Sequence, residues 1–143
     1  FASGVALITG LSDGGPAGFT CQSFFSLSLE PPLVAFAPGR TSTSWPRVSG
    51  SGSVCINILA ADQEALALTF ARRGADKFAG VGWSPGATGA PRLHGALAWI
   101  DATIEDVHEA GDHFLVTARV MEVESGAGTP LVFYRGGFGG FAP

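Results

Sequence analysis

Short apolar segments recur along this chain, each closed by turn residues within about ten positions. Gly4 to Gly10 is an apolar run, Asp13-Gly14-Gly15-Pro16 supplies a turn, and Ala17 to Ser23 reads as the returning strand of a hairpin. Phe24 to Leu29 continues extended until Pro31-Pro32 stops it. Leu33 to Ala37 is apolar without alternation, the pattern of a strand buried on both faces, and Ser53 to Leu59 is a further strand. The period then changes. Asp62 as N-cap predicts a helix to about Arg73, with Leu66 and Phe70 four apart on its apolar face and Arg72-Arg73-Gly74 as its stop. Phe78 to Gly95 has no period and is anchored by Trp83, Pro85 and Pro91.

Ala96 to Val107 and Phe114 to Val123 alternate in part and flank the turn-rich His108 to Asp112, which predicts a long hairpin. Leu131 to Tyr134 is the last predicted strand, and the glycine-rich Gly136 to Gly140 reads as a mobile terminus. Many short strands with one clear helix predict a mainly β antiparallel barrel with attached helices, not a doubly wound sheet.

Composition narrows the function classes. The 143 residues suit one domain spanning 1–143. Apolar residues make up 46% and charged residues 14%, so part of the surface is expected to be covered by a partner. A net charge of −4 argues against a nucleic-acid partner. Every apolar run is too short to span a membrane. Cys21 and Cys55 fall in different apolar strands and are expected to be reduced, buried and inert, which fits a cytoplasmic protein.

Three segments are candidates for chemistry. Arg40-Thr41-Ser42-Thr43-Ser44-Trp45-Pro46 places a cation and four hydroxyls at a helix start, where free N–H groups attract a phosphate monoester. The same residues also read as a well-capped helix with Arg40 in solvent. Thr20, Gln22, Ser26 and Ser28 share one parity, and Cys21, Ser23 and Phe25 the other, so one side offers polar groups to a fused ring. They read equally well as ordinary edge-strand hydroxyls. Asn57, an amide in an apolar strand, requires a partner, either backbone or ligand. Gly111-Asp112-His113 places a histidine at a strand start, for a second ligand or for a backbone bond. His108 and His113 lack the helical spacing of a zinc pair, so no metal is expected. No nucleophile elbow, Rossmann fingerprint or phosphate-binding Walker loop occurs in the chain.

Taken as an ordered set, these residues resemble the flavin reductase family, whose fold is the FMN-binding split barrel, an antiparallel Greek-key barrel. The resemblance runs from Phe1-Ala2-Ser3-Gly4-Val5 through Gly18-Phe19-Thr20, Ser23-Phe24 and Ser26 to Val34. It continues through Arg40 to Pro46, Cys55 to Leu59, Asp76-Lys77-Phe78-Ala79-Gly80 and Gly111-Asp112-His113, and ends at Pro130 to Gly136. The family's N-terminal helix, and some C-terminal residues of longer relatives, have no counterpart in this sequence.

The resemblance implies a homodimer with FMN or FAD near the subunit interface, NADH as co-substrate, and a separate oxygenase that receives the reduced flavin. It implies that Thr20, Cys21, Gln22 and Ser23 line the isoalloxazine ring, with Ser28, Glu30 and Pro31 close to the flavin. Arg40, Thr41, Ser42, Thr43 and Ser44 would hold the phosphate. Asn57 would stand near the flavin, Phe70 or Arg73 would close over it, and His113 would meet the nicotinamide. A flavin-binding carrier without NADH turnover shares every one of these binding residues and is the alternative.

Overall fold

A computed structural model describes residues 1–74 and 76–143. A seven-stranded, fully antiparallel sheet is the largest of the described sheets. Its strands are β2 (Ala6–Ser12), β3 (Gly15–Cys21), β4 (Phe25–Ser28), β5 (Leu33–Phe36), β6 (Ser53–Ile58), β9 (Ala98–Ala110) and β10 (His113–Ser125), in the order β3-β2-β6-β9-β10-β5-β4. A three-stranded sheet joins β1 (Ser3–Gly4), β11 (Leu131–Tyr134) and β12 (Gly137–Gly140), and β7 (Trp83–Pro85) pairs with β8 (Pro91–Leu93).

The large sheet curls on itself. Phe19 and Cys21 on edge strand β3 share one apolar cluster with Val34 and Phe36 on β5, and with Val54, Ile56, Val116 and Ala118 from the sheet's middle. Trp45 closes the end. It stands in α1 (Trp45–Val48), with its indole edge-on to Phe19 at 6.3 Å and to Phe36 at 5.7 Å, so one ring bridges the two sides of the barrel. Gly10 makes room for that turn, because a Cβ there would meet the Val48 carbonyl oxygen.

Strand β2 is buried on both faces. Ala6 and Ile8 point into the barrel, while Leu7, and Val5 just before the strand, join a second cluster with Leu59, Ala67, Phe70 and Leu131. That second cluster docks α2 (Glu64–Phe70) and the three-stranded sheet against the barrel wall. The predicted strands and the antiparallel barrel are all present.

Four local expectations are corrected. The N-cap is Gln63, not Asp62, so the helix begins at Glu64, and the Gln63 Oε1 accepts the Ala60 N–H at 2.9 Å. Helix α2 itself ends at Phe70, and Gly74 follows with φ of 87°. The β9–β10 hairpin turns in two residues only, Gly111 and Asp112, so His108 lies on a strand. The glycine-rich end is not a free tail. β12 pairs with β11, and Phe138 packs edge-on against Phe133 at 5.2 Å. The parity argument for residues 20–28 also fails, because β3 ends at Cys21 and the register shifts again between Ser26 and Ser28.

Candidate active site

A groove runs along the outside of the barrel between β3, the end of α2 and the segment after β5. Its wider end is lined by Thr20, Cys21, Gln22 and Ser23 on one side and by Pro38, Gly39 and His113 on the other. It continues past Phe19 and Ala71 to Thr41, Ser42, Thr43 and Ser44, opposite Arg72, Arg73 and Lys77.

The wide end is built by the β9–β10 turn folding back on the end of β5. Gly39 and His113 form a lone antiparallel bridge, Phe114 N–H donates to Pro38 at 2.9 Å, and Arg40 N–H donates to Asp112 at 2.9 Å. Asp112 Oδ1 lies 2.8 Å from His113 Nδ1. That bond holds the Asp112 carboxyl below its ordinary value, and the charge of His113 acts in the same direction. With Nδ1 committed to Asp112, Nε2 is the ring nitrogen left at the groove, beside Gly39. A histidine half-exposed over a glycine leaves open the space a side chain at position 39 would fill.

Opposite stands the end of β3. The Thr20 hydroxyl donates to Ala67 at 2.6 Å and so ties the strand to α2 instead of facing a ligand. The Ser23 hydroxyl accepts the Ala37 N–H at 2.8 Å and lies 3.1 Å from the Cys21 sulfur. Cys21 is buried, and desolvation pushes its thiol up. Gln22 is an exposed polar side chain of this wall.

At the narrow end the positive charge comes from side chains more than from a helix. α1 is a single turn, and the N–H groups of Arg47 and Val48 are taken by the Ser44 carbonyl. Ser42 Oγ, not Ser44, accepts the Trp45 N–H at 3.1 Å. Arg73 reaches across the groove and its Nη2 donates to the Thr41 carbonyl. Lys77 donates to Gly18 (3.2 Å), Ser44 Oγ (2.9 Å) and the Phe70 carbonyl (3.1 Å), clamping β3, the hydroxyl segment and the end of α2 together. Burial lowers the Lys77 pKa, and the Arg47 charge adds to it. Arg47, Arg72, Arg73 and Lys77 are half of the chain's eight basic residues, gathered here although the net charge is −4.

Several expected site residues lie elsewhere. Arg40 turns away from the groove, stacks over Phe114 at 5.1 Å and pairs with Glu109 at 3.3 Å. Asn57 is fully buried. Its amide donates to Leu7 O and Thr9 Oγ1, both at 3.0 Å, and its Oδ1 accepts the Leu93 N–H at 2.8 Å, so its partner is the protein's own core. Phe70 borders the groove but its ring is fully buried, edge-on to Phe78 at 5.0 Å, and does not close over a ligand. Ser28, Glu30 and Pro31, at the end of β4 and in the turn after it, do not line the groove of their own chain. Sequence reasoning gave Lys77, Arg72, Arg47 and Gly39 no role at the site. The signal for the first was its place inside the Asp76–Gly80 motif, and for the second its place beside Arg73 at the helix end.

The donor set suits a flat ring ending in a phosphate. The wide end offers backbone and amide groups beside an open glycine floor, and the narrow end offers two guanidinium groups with hydroxyls opposite. The chain belongs to the flavin reductase like family, whose domain matches residues 1–142. It is 47% identical to the flavin-dependent monooxygenase reductase subunit HsaB of Rhodococcus jostii, over 100% of this chain and 74% of that protein. The crystal structure of nitrilotriacetate monooxygenase component B from Mycobacterium thermoresistibile superposes with a TM-score of 0.95 at 45% identity, covering 100% of this chain and 82% of that one. The NADH:FAD oxidoreductase SgcE6 of Streptomyces globisporus, solved with NAD and FAD fragments, gives 0.93 at 34% identity, covering 100% and 87%. These relationships carry the split-barrel fold as well as the family.

Proposed function

We infer that this chain transfers hydride from NADH to free FMN or FAD and hands the reduced flavin to a separate oxygenase. The observation that carries the reading is the groove itself: a histidine over a glycine floor at one end, and Arg72, Arg73 and Lys77 facing hydroxyls at the other. Bound flavin supplies the two-electron acceptor, and the reaction at that ring needs no nucleophile or metal from the protein.

The chain's residues bind and orient. Arg73 and the hydroxyls of Thr41, Ser42 and Thr43 hold the phosphate, with Lys77 fixing the distance between those two walls. The Thr20–Ser23 backbone and Gln22 meet the polar edge of the ring. His113 Nε2 directs the nicotinamide onto the face left open by Gly39, and bringing two rings into contact is the main catalytic contribution. Open access at this end lets the reduced flavin leave.

The same reading takes the protein to be a cytoplasmic homodimer. Two free, buried cysteines suit a reducing compartment. Among the described residues no helix is long and apolar enough to cross a membrane. Edge strand β4 and the turn after it present Phe25, Leu27 and Leu29 at 46%, 46% and 91% exposure, a surface suited to a second copy. Light scattering on the eluted protein measures that mass directly.

The test of function is NADH consumption, followed anaerobically and in air, with riboflavin, FMN and FAD each in excess. Turnover that rises with added flavin supports the reductase. Flavin binding without NADH consumption would replace it with a carrier.

A further inference from the structure

His113 comes to the groove at the tip of the β9–β10 hairpin. Every residue from Glu105 to His113 is exposed, so the tip is not anchored by burial of its own side chains. Its anchorage is the segment after β5. Three backbone contacts are made there: the Gly39–His113 bridge, the Phe114 N–H on the Pro38 carbonyl and the Arg40 N–H on the Asp112 carbonyl.

One side chain adds to them. The Arg40 guanidinium lies over the Phe114 ring at 5.1 Å, and its Nη1 donates to Glu109 Oε1 at 3.3 Å. Phe114 and Glu109 stand opposite each other on the two strands of the hairpin. Arg40 therefore holds both halves of a single rung. The next rung towards the turn is Ala110 with His113. Among the described residues, the Arg40–Glu109 bond is the one side-chain hydrogen bond from residues 105–113 to a segment outside the hairpin; Glu105 bonds Arg119, and Asp112 bonds His113. Phe114 also packs against the barrel core, so the ring that Arg40 stacks on is itself fixed. Gly39 lines the groove, while Arg40, next in the chain, does not.

We propose that Arg40 is a positioning residue for hydride transfer: by gripping the Glu109–Phe114 rung it sets the place of His113 at the groove, and so the fit of the nicotinamide, without touching flavin or NADH. The inference rests on the flavin reductase reading and deepens it. His113 is one residue from Phe114, so a rung free to shift carries the imidazole with it. An exposed ion pair alone contributes little, and the stacked guanidinium adds to it. The grip is therefore worth several-fold in the use of NADH, not orders of magnitude.

The experiment measures kcat/KM for NADH, anaerobically and with whichever of FMN and FAD the wild type uses faster held in excess. It compares the wild type, Arg40→Ala, Arg40→Lys, His113→Ala and the double variant Arg40→Ala/His113→Ala. Flavin affinity of each is read from fluorescence quenching. Arg40→Ala is expected to lower kcat/KM for NADH by about 3- to 10-fold and to leave flavin affinity within about 2-fold. Arg40→Lys, which keeps the cation, recovers at least half of the loss. In the His113→Ala background, adding Arg40→Ala lowers kcat/KM no further, because the residue through which it acts is gone. A merely structural role predicts instead that the two losses multiply, and that result overturns the proposal. So does an unchanged kcat/KM in Arg40→Ala, or a loss of flavin affinity as large as the loss towards NADH. In all three cases wild-type turnover leaves the reductase standing. A wild type that binds flavin and consumes no NADH removes the reductase reading together with this one.

Discussion

Gly39 and His113 stand side by side at the mouth of the groove as a single β-bridge, with His113 Nε2 4.0 Å from where a Cβ on residue 39 would stand. An alanine methyl fits at ordinary contact distance; a longer side chain does not leave the floor open. Gly39→Leu is expected to weaken flavin binding by about 10-fold or more while leaving the melting temperature nearly unchanged, since no core residue is disturbed. Unaltered binding would mean that the ring does not lie against Gly39.

His113→Ala should raise KM for NADH several-fold and change flavin affinity little. Its imidazole is exposed and bonded only to the exposed Asp112, so the fold does not depend on it. Equal effects on both substrates would remove its role towards the nicotinamide.

Arg73→Ala should lower affinity for FMN by about 10- to 100-fold, in keeping with about 1.5–3 kcal/mol for a hydrogen bond to a charged group. Riboflavin, which lacks the phosphate, should be unaffected. Arg40→Ala should alter neither by more than about 2-fold, because that guanidinium serves Phe114 and Glu109 at the surface. A larger loss with Arg40→Ala than with Arg73→Ala would reverse the assignment.

Asn57→Ala is expected to act on stability. It leaves the Leu93 N–H and the Leu7 carbonyl without their side-chain partner in the core, at a cost of about 2–4 kcal/mol. Denaturant unfolding measures it, and a fold as stable as wild type with poor flavin binding would return Asn57 to the site.

Burial raises both thiol pKa values above their ordinary 9.0. The unfolded chain then loses its thiol protons at lower pH than the folded one. The contribution to stability is therefore complete below about pH 9 and declines as pH rises through the folded values. A thiol reagent at neutral pH should find almost nothing in the native protein and two groups after denaturation. Fast native labelling would place a cysteine at the surface.

The strand segments, their turns and the mainly β class follow from local chemistry. Asp13-Gly14-Gly15-Pro16 forces a turn, and Leu33 to Phe36 is too uniformly apolar to face water on either side. The hydroxyl segment 41–44 and His113 are legible for the same reason, since polar groups beside structure breakers mark places where the backbone is open. Arg40 and Asn57 were not legible. A guanidinium four atoms out on a flexible stem takes whichever partner the fold brings near, and here the β9–β10 hairpin, sixty-nine positions along, brings Glu109. An amide in a strand is read as a ligand or as a core group only once its neighbours are known, and β2 and β8 supply them.

The sequence by itself determined which segments extend, where they turn and which polar groups must find a partner. Tertiary structure alone decided which partner each found, and gathered Arg47, Arg72, Arg73 and Lys77 at one end of a groove in an acidic chain. The reason is physical. Backbone angles and apolar periodicity are properties of neighbours in sequence, whereas burial, hydrogen bonding and local charge depend on segments the curled sheet brings together.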